Sequence, residues 1–337
     1  MTLLSSENLT SLEICAGGGG QAIGVERAGF RHLALVERKA EACATLRLNR
    51  PSWNVIEKDL REFEPERDAG ISTVDLLAGG VPCTPYSIAG AQKGAGDERD
   101  LLPEALRLIK ILRPRAVMLE NVKTLARSRE FSPVRNQITD TLGNLGYEVQ
   151  FNVLDAQNFG VPQTRQRTLI VAVREGLKKF QWPMGSWELP QTVGEVLYES
   201  MQSGGWPGAA EWARLANDIA PTIVGGSEKH GGGDLGPERA KQRWAELAVN
   251  GNSTAAQVPG PDFVLQHNVG RGGRKGYPKL TPEQVALLQG FPEDWQFAGS
   301  RTAQYKQIGN AFPPPVAHAV ASSIADVLRE SSADKAA

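Results

Sequence analysis

Short apolar runs alternate with stretches of helical spacing through the first half of the chain. The runs Leu12–Cys15, His32–Glu37, Asn54–Glu57, Val74–Ala78, Ala116–Glu120, Glu148–Leu154 and Thr168–Arg174 have the length and composition of buried strands. Between them Glu41–Arg47, Leu102–Leu112 and Pro133–Leu145 repeat their apolar positions at helical intervals, and Pro114 stops the second before the next strand. This alternation predicts a doubly wound α/β domain around a mixed, mostly parallel sheet. Such sheets bind ligands at the carboxyl ends of their strands, where Gly17, Glu37, Asp59, Cys83 and Glu120 fall.

The pattern changes near Trp182-Pro183. Residues 183–278 hold Trp187, Trp206, Trp212 and Trp244 and several glycine-rich turns, with little strand periodicity, which predicts a smaller, loop-rich second domain. Order returns at Thr281-Pro282-Glu283-Gln284, where threonine and glutamine form a capping box and proline suits the first turn. A last helix is expected from Pro315 to Arg329, followed by a frayed tail, Ser331 to Ala337. The expected division is a catalytic and cofactor-binding domain, 1–175 completed by 313–337, a second domain, 176–278, and a return segment, 279–312.

A chain of 337 residues, 41% hydrophobic and 22% charged, has the composition of a soluble globular protein. No apolar run approaches the roughly 20 residues of a membrane span, and Met1 to Thr10 lacks a signal-peptide pattern, so the expected location is the cytoplasm. Three cysteines without a CxxC pair and four scattered histidines point to neither a disulfide framework nor a metal centre. Cys15 and Cys43, on a strand and a helix, read as inert core residues. The net charge of −1 does not announce a nucleic-acid binder. Its distribution says more: Arg165, Arg167, Arg174, Lys178 and Lys179 face one acid, Glu175, and Arg271, Arg274, Lys275 and Lys279 face none. The two basic stretches bracket the second domain and suit the flanks of a DNA cleft.

Chemistry concentrates at three places. The loop Ala16-Gly17-Gly18-Gly19-Gly20 follows the first strand, and glycines there let backbone N–H groups approach a ligand. Gly17-x-Gly19-x-x-Ala22 with Glu37 fits a dinucleotide fingerprint, so a nicotinamide, a flavin and a turn with no ligand all remain open on this motif alone. The segment Gly79-Gly80-Val81-Pro82-Cys83-Thr84-Pro85-Tyr86-Ser87 holds one cysteine between two prolines after a strand, a candidate nucleophile. Glu120-Asn121-Val122 puts an acid and an amide at the tip of a neighbouring strand, so thiolate and carboxylic acid can face one small ring.

With Gln163-Thr164-Arg165-Gln166-Arg167 and Gln307-Ile308-Gly309-Asn310-Ala311-Phe312-Pro313-Pro314, the set resembles the DNA (cytosine-5) methyltransferases of bacterial restriction-modification systems. The resemblance runs in order along nearly the whole chain except about 175–278. It implies a Rossmann-like S-adenosylmethionine-dependent methyltransferase fold, S-adenosyl-L-methionine as cofactor with S-adenosyl-L-homocysteine as product, and no metal. It also implies double-stranded DNA as partner, a monomer, and a cognate restriction endonuclease encoded separately. The roughly 100-residue second domain and the lack of a Cys-Phe-Thr motif favour DNA over the tRNA-methylating branch.

Residue by residue, the resemblance assigns the cofactor's methionine moiety to Cys15, Ala16, Gly17, Gly19 and Gly20, its ribose to Glu37 and its adenine amino group to Asp59. Arg38, Leu60, Leu102, Asn310 and Ala311 match further contacts. Cys15 stands where the family usually has an aromatic residue, leaving Ile14 or Arg38 to cover a ring face. Cytosine C5 is a poor nucleophile until a thiolate adds at C6, which is the role of Cys83, its turn restricted by Pro82. Glu120, raised toward its acid form by burial, serves N3 and N4, Arg167 serves O2, Arg165 positions the loop and Glu120, and Asn121 fixes the Cys83 loop. Ser87, Gln92, Lys93 and Arg99, on a polar loop suited to closing over DNA, are expected DNA contacts. In the second domain, a target recognition domain by resemblance, these are Thr222 of a threonine-aliphatic motif, Arg239, Arg243, Arg271, Arg274 and Lys275.

Overall fold

The computed structural model describes residues 9–81, 100–186, 189–225, 233–266 and 276–336. The chain forms two compact units, one of residues 1–154, 166–184 and 316–337 and one of residues 155–165 and 185–315. The second unit therefore takes in the expected return segment 279–312 and also residues 155–165, which precede it in the chain by twenty residues or more.

Seven strands build the first unit: β1 (Leu9–Ile14), β2 (Phe30–Glu37), β3 (Val55–Glu57), β4 (Leu76–Gly80), β5 (Ala116–Val122), β6 (Tyr147–Asp155) and β7 (Gln166–Arg174). Their order is β3-β2-β1-β4-β5-β7-β6, with β1 to β5 paired in parallel and β7 antiparallel to β5. The helices are α1 (Gly20–Arg27), α2 (Ala40–Asn49), α3 (Pro65–Ala69), α4 (Leu102–Leu112), α5 (Thr124–Arg127) and α6 (Ser132–Gly143), with α12 (Pro314–Ala336) closing the chain. On one face Leu12, Ile14, Ala34, Val36, Leu77, Val117 and Leu119 join the buried faces of α4 and α6 in one apolar core. The other face is equally buried: His32 bonds the Ala22 carbonyl of α1, and Arg115 bonds the Leu328 carbonyl of α12. Both faces need cover because strands β4 and β5 carry buried apolar residues on both sides, Leu76, Leu77 and Ala78 in one and Ala116 to Leu119 in the other.

Two differences from the sequence reading concern ends. Strand β4 runs two residues further than its apolar run, since Gly79 and Gly80, poor strand formers alone, pair with Leu119 and Glu120. Helix α12 continues to Ala336, so the expected fraying from Ser331 is not found; the Ser331 hydroxyl bonds the Val327 carbonyl and accepts from Lys178 N–H.

The second unit is helical as well as loop-rich: α7 (Val193–Gln202), α8 (Ala209–Leu215), α9 (Glu238–Glu246), α10 (Pro282–Leu288) and α11 (Arg301–Asn310). Capping boxes start α7 at Thr192 with Glu195 and α10 at Thr281 with Gln284. Trp206, Trp212 and Trp244 are fully buried here, and large aromatic areas let a unit with few regular elements hold a core. Among the described residues, no helix is long and apolar enough to cross a membrane.

Candidate active site and cofactor cradle

Three elements bring the candidate chemistry to the carboxyl edge of the sheet. In the parallel β4–β5 pair Gly80 sits opposite Glu120, so the chain leaves β4 beside that carboxyl group. Asn121, next in β5, is buried and donates its side-chain amide to the Val81 carbonyl at 3.1 Å, anchoring the residue that precedes Pro82-Cys83. In the antiparallel β5–β7 pair Arg167 sits opposite Val122, diagonal to Glu120, within reach of a long side chain. The guanidinium Nε lies 2.9 Å from Glu120 Oε1, and both side chains are mostly buried. Burial pulls the Arg167 guanidinium below its ordinary pKa, while the Glu120 carboxylate opposes that shift. Cation and carboxylate stabilise one another's charge across this contact. Pro82, Cys83, Ser87, Gln92, Lys93 and Arg99 lie outside the described residues, as do Arg271, Arg274 and Lys275.

At the other end of the same edge, β1 runs into the glycine loop. Gly17 and Gly19 have φ of 54° and 92°, left-handed values that glycine adopts without cost, and a Cβ on Gly17 would meet nothing within 4 Å. Gly19 is the N-cap residue of α1, which Gly20 opens, and Ala16 is buried with its N–H on the Val36 carbonyl. Glu37, at the end of β2, accepts from Gly17 N–H on one oxygen and from Arg38 and Lys39 N–H on the other, all at 2.9 Å. Asp59, just past β3, accepts from Arg61 N–H at 3.0 Å and pairs with its guanidinium at 3.2 Å. Leu60 and Leu102 are both buried, Leu102 opening α4 with its N–H on the Asp100 carboxylate.

The loop corrects two expectations. Cys15 is not a strand residue: it follows β1 with φ 52° and is partly exposed. Burial of its sulfur, with Glu37 and Glu13 nearby, pushes the thiol well above its ordinary pKa; burial pushes Cys43, whose Sγ bonds the Glu37 carbonyl, up to about 12. Ile14 has no accessible surface and packs against Gly79, so it has no surface with which to cover a ligand's ring face, whereas Arg38 is exposed.

In the second unit Arg165 is 1% exposed and donates to three carbonyls, Ile223 at 2.5 Å, Gly309 at 3.0 Å and Ala311 at 2.8 Å. Thr222 donates its hydroxyl to the Thr164 carbonyl, and Ile223 N–H donates to the Gln163 side chain, so the threonine-aliphatic motif is knitted to the Gln-x-Arg segment. Asn310 ends α11 with an exposed side chain. Helix α9 carries Arg239, which is exposed, and Arg243, which pairs with Glu246 and Asp218; Lys241 pairs with Asp234 at 2.7 Å.

A family model for C-5 cytosine-specific DNA methylase matches residues 9–326. The chain belongs to that family. It is 49% identical to the Type II methyltransferase M.NaeI of Lentzea aerocolonigenes over 96% of this chain and 76% of the relative. It is 48% identical to the Type II methyltransferase M.NgoMIV of Neisseria gonorrhoeae over 95% of this chain and 98% of the relative. The fold is shared with the methyltransferase EhMeth of Entamoeba histolytica, at a TM-score of 0.67 and 16% identity, covering 96% of this chain and 99% of that one. This C-5 cytosine-specific methylase is thus a DNA (cytosine-5) methyltransferase with the Rossmann-like fold that the resemblance implies. Its residues fit the S-adenosylmethionine that such enzymes use: open space over Gly17, and carboxylates at the ends of β2 and β3 with lone pairs to spare for hydroxyl and amino donors. Among the described residues no group of histidines, cysteines and acids is placed to hold a metal.

One buried acid of the methylase escaped the sequence reading. Glu13 in β1 is fully buried, neither carboxyl oxygen has a hydrogen-bond partner among the described residues, and burial raises its pKa to about 8. Its place in an apolar run was legible as an oddity, but a charged residue beside a ligand loop reads as surface until the sheet is closed on both sides.

Proposed function

We propose that this methylase adds a methyl group to C5 of a cytosine swung out of a specific double-stranded DNA sequence, by way of a covalent bond from Cys83 to C6. The observation that carries this reading is the Glu120–Arg167 pair beside Gly80, with Asn121 tethering Val81. A cytosine edge presents, in order, the N4 amino donor, the N3 acceptor and the O2 acceptor. Glu120 accepts from N4 and, once protonated, donates to N3, and Arg167 donates to O2. Thymine, with a carbonyl at position 4, is rejected by the same carboxyl group.

Addition of the Cys83 thiolate at C6 pushes negative charge toward N3 and O2, and the proton and guanidinium placed there lower its cost. Bound S-adenosylmethionine would supply the sulfonium methyl that the resulting enamine carbon takes up, leaving S-adenosylhomocysteine. Glu37 would hold its ribose and Asp59 its adenine amino group, with Gly17 and Gly19 against the methionine moiety; Asn310 and Ala311 carry further contacts by their motif. Loss of the C5 proton then expels Cys83 and restores the ring. Because C6 is stacked inside duplex DNA, extruding the base costs a few kcal/mol.

Thr222, Arg239 and Arg243, with Ser87, Gln92, Lys93, Arg99, Arg271, Arg274 and Lys275, serve DNA contact in this reading, and residues 176–278 carry target recognition. Kinship to Type II methyltransferases supports a protective methylase paired with an endonuclease encoded separately; a cytoplasmic monomer completes the proposed reading. The test is trapping: wild-type protein should form a covalent adduct with duplex DNA containing 5-fluorocytosine, and Cys83→Ser should form none while still binding cofactor. An adduct of equal yield in Cys83→Ser would remove the nucleophile assignment.

A further inference from the structure

Two glycines in the second unit, Gly225 and Gly309, mark a close approach of two backbone segments. A Cβ on Gly309 would lie 2.6 Å from Gly225 Cα and 2.8 Å from the Val224 carbonyl carbon, contacts no real Cβ makes. A Cβ on Gly225 would lie 2.7 Å from Asn310 Cγ, 2.7 Å from its Oδ1 and 2.7 Å from the Lys306 carbonyl oxygen. Gly225 has no positive φ, so its lack of a side chain is explained by this approach alone. The backbone of Val224-Gly225 is therefore laid directly on the last turn of α11, against the side chain of Asn310.

The same junction is clamped from below. Arg165 donates to the Ile223 carbonyl on one strand of the junction and to the Gly309 and Ala311 carbonyls, which flank Asn310, on the other. Gln289 adds a second bond to the Ala311 carbonyl at 2.7 Å and accepts from Gln163, whose own oxygen takes the Ile223 N–H. A buried guanidinium whose two terminal nitrogens hold three fixed carbonyls favours one geometry, because a shift of either segment leaves a polar group unpaired.

We propose that Gly225, held by Arg165, is a positioning residue that buttresses Asn310 in the orientation used to bind the cofactor. The proposal rests on the reading of Asn310 as a cofactor contact. Asn310 has no helix beyond it to fix its rotamer, since α11 ends there, and the Gly225 backbone supplies that wall instead. The Thr222–Gly225 segment then has two tasks, one toward DNA and one toward the cofactor.

Cofactor affinity measured by calorimetry without DNA tests this directly. Asn310→Ala should weaken binding about tenfold, Gly225→Ala should do nearly the same, and the double variant should be no weaker than Asn310→Ala, the non-additivity of residues acting as one unit. Thermal melts check that Gly225→Ala folds. In wild-type protein, cofactor should slow hydrogen exchange at the Ile223 to Gly225 amides, a readout that needs no variant. Wild-type affinity in Asn310→Ala would remove the reading of Asn310 itself and the buttress with it. A weakened Asn310→Ala beside a tight-binding, folded Gly225→Ala, fully additive losses, or unchanged exchange at 223–225 would overturn the buttress alone.

Discussion

Arg165 and Arg167 lie two residues apart and belong to regions built on different physics. Arg167 stands on β7 at the sheet's carboxyl edge, where strand register alone brings it diagonal to Glu120, and its charge meets an opposite charge. Arg165 lies in the second unit, where few regular elements meet, and its charge is spread over neutral carbonyls that it holds in place. Regular hydrogen-bond ladders position a side chain as a by-product of the fold. Where ladders are missing, a buried side chain has to do the positioning, and an arginine with five donors in a rigid fork suits that task.

That contrast predicts different losses. Glu120→Gln should leave the sheet and cofactor affinity intact and lower single-turnover methylation by about a thousandfold, since the amide keeps the shape but delivers no acidic proton. Rapid-quench kinetics with cofactor titration checks this, and a near-normal rate would remove the acid role. Arg165→Met should do the reverse, lowering stability by about 3 kcal/mol because three buried carbonyls lose their donor together. Urea unfolding followed at the tryptophans would read it, and a midpoint shift below about 0.5 kcal/mol would show that the junction does not depend on the clamp.

Glu13 separates the sheet's own chemistry from its ligand edge. Its folded pKa is raised from 4.5 to about 8, so the folded state binds more protons than the unfolded between those values and loses stability as pH rises through that window. Glu13→Gln should therefore stabilise by on the order of 4 kcal/mol at pH 8, with the gain vanishing below pH 4.5. Melting curves of both proteins across this range decide it; a gain independent of pH would mean packing rather than ionisation. The smallest effect is expected at Arg243, whose partners Glu246 and Asp218 are as exposed as it is. Arg243→Ala should change stability by less than about 0.5 kcal/mol and show itself only in DNA affinity and its salt slope.

The pattern of the chain is enough to set out the sheet and its mostly parallel character. Every strand of the first unit lies within three residues of an apolar run, because a sheet covered by helices is rich in apolar residues and its strands are separated by helices of visible period. The Thr281–Gln284 cap was equally plain, since a cap depends on neighbours in the chain. Helices α7 to α9 were not read: each is short, and glycine turns and tryptophans dominate the surrounding composition. Their cores depend on Trp206, Trp212 and Trp244 meeting partners far away in sequence. Long-range packing is what splits the arginines of Gln-x-Arg-x-Arg between a carboxylate and a carbonyl clamp, seals Ile14 against Gly79 and lays Gly225 against Asn310. Alternation along an extended segment says which side chains share a direction; what waits there is set by segments tens to more than a hundred residues distant, brought in by packing that no local pattern encodes.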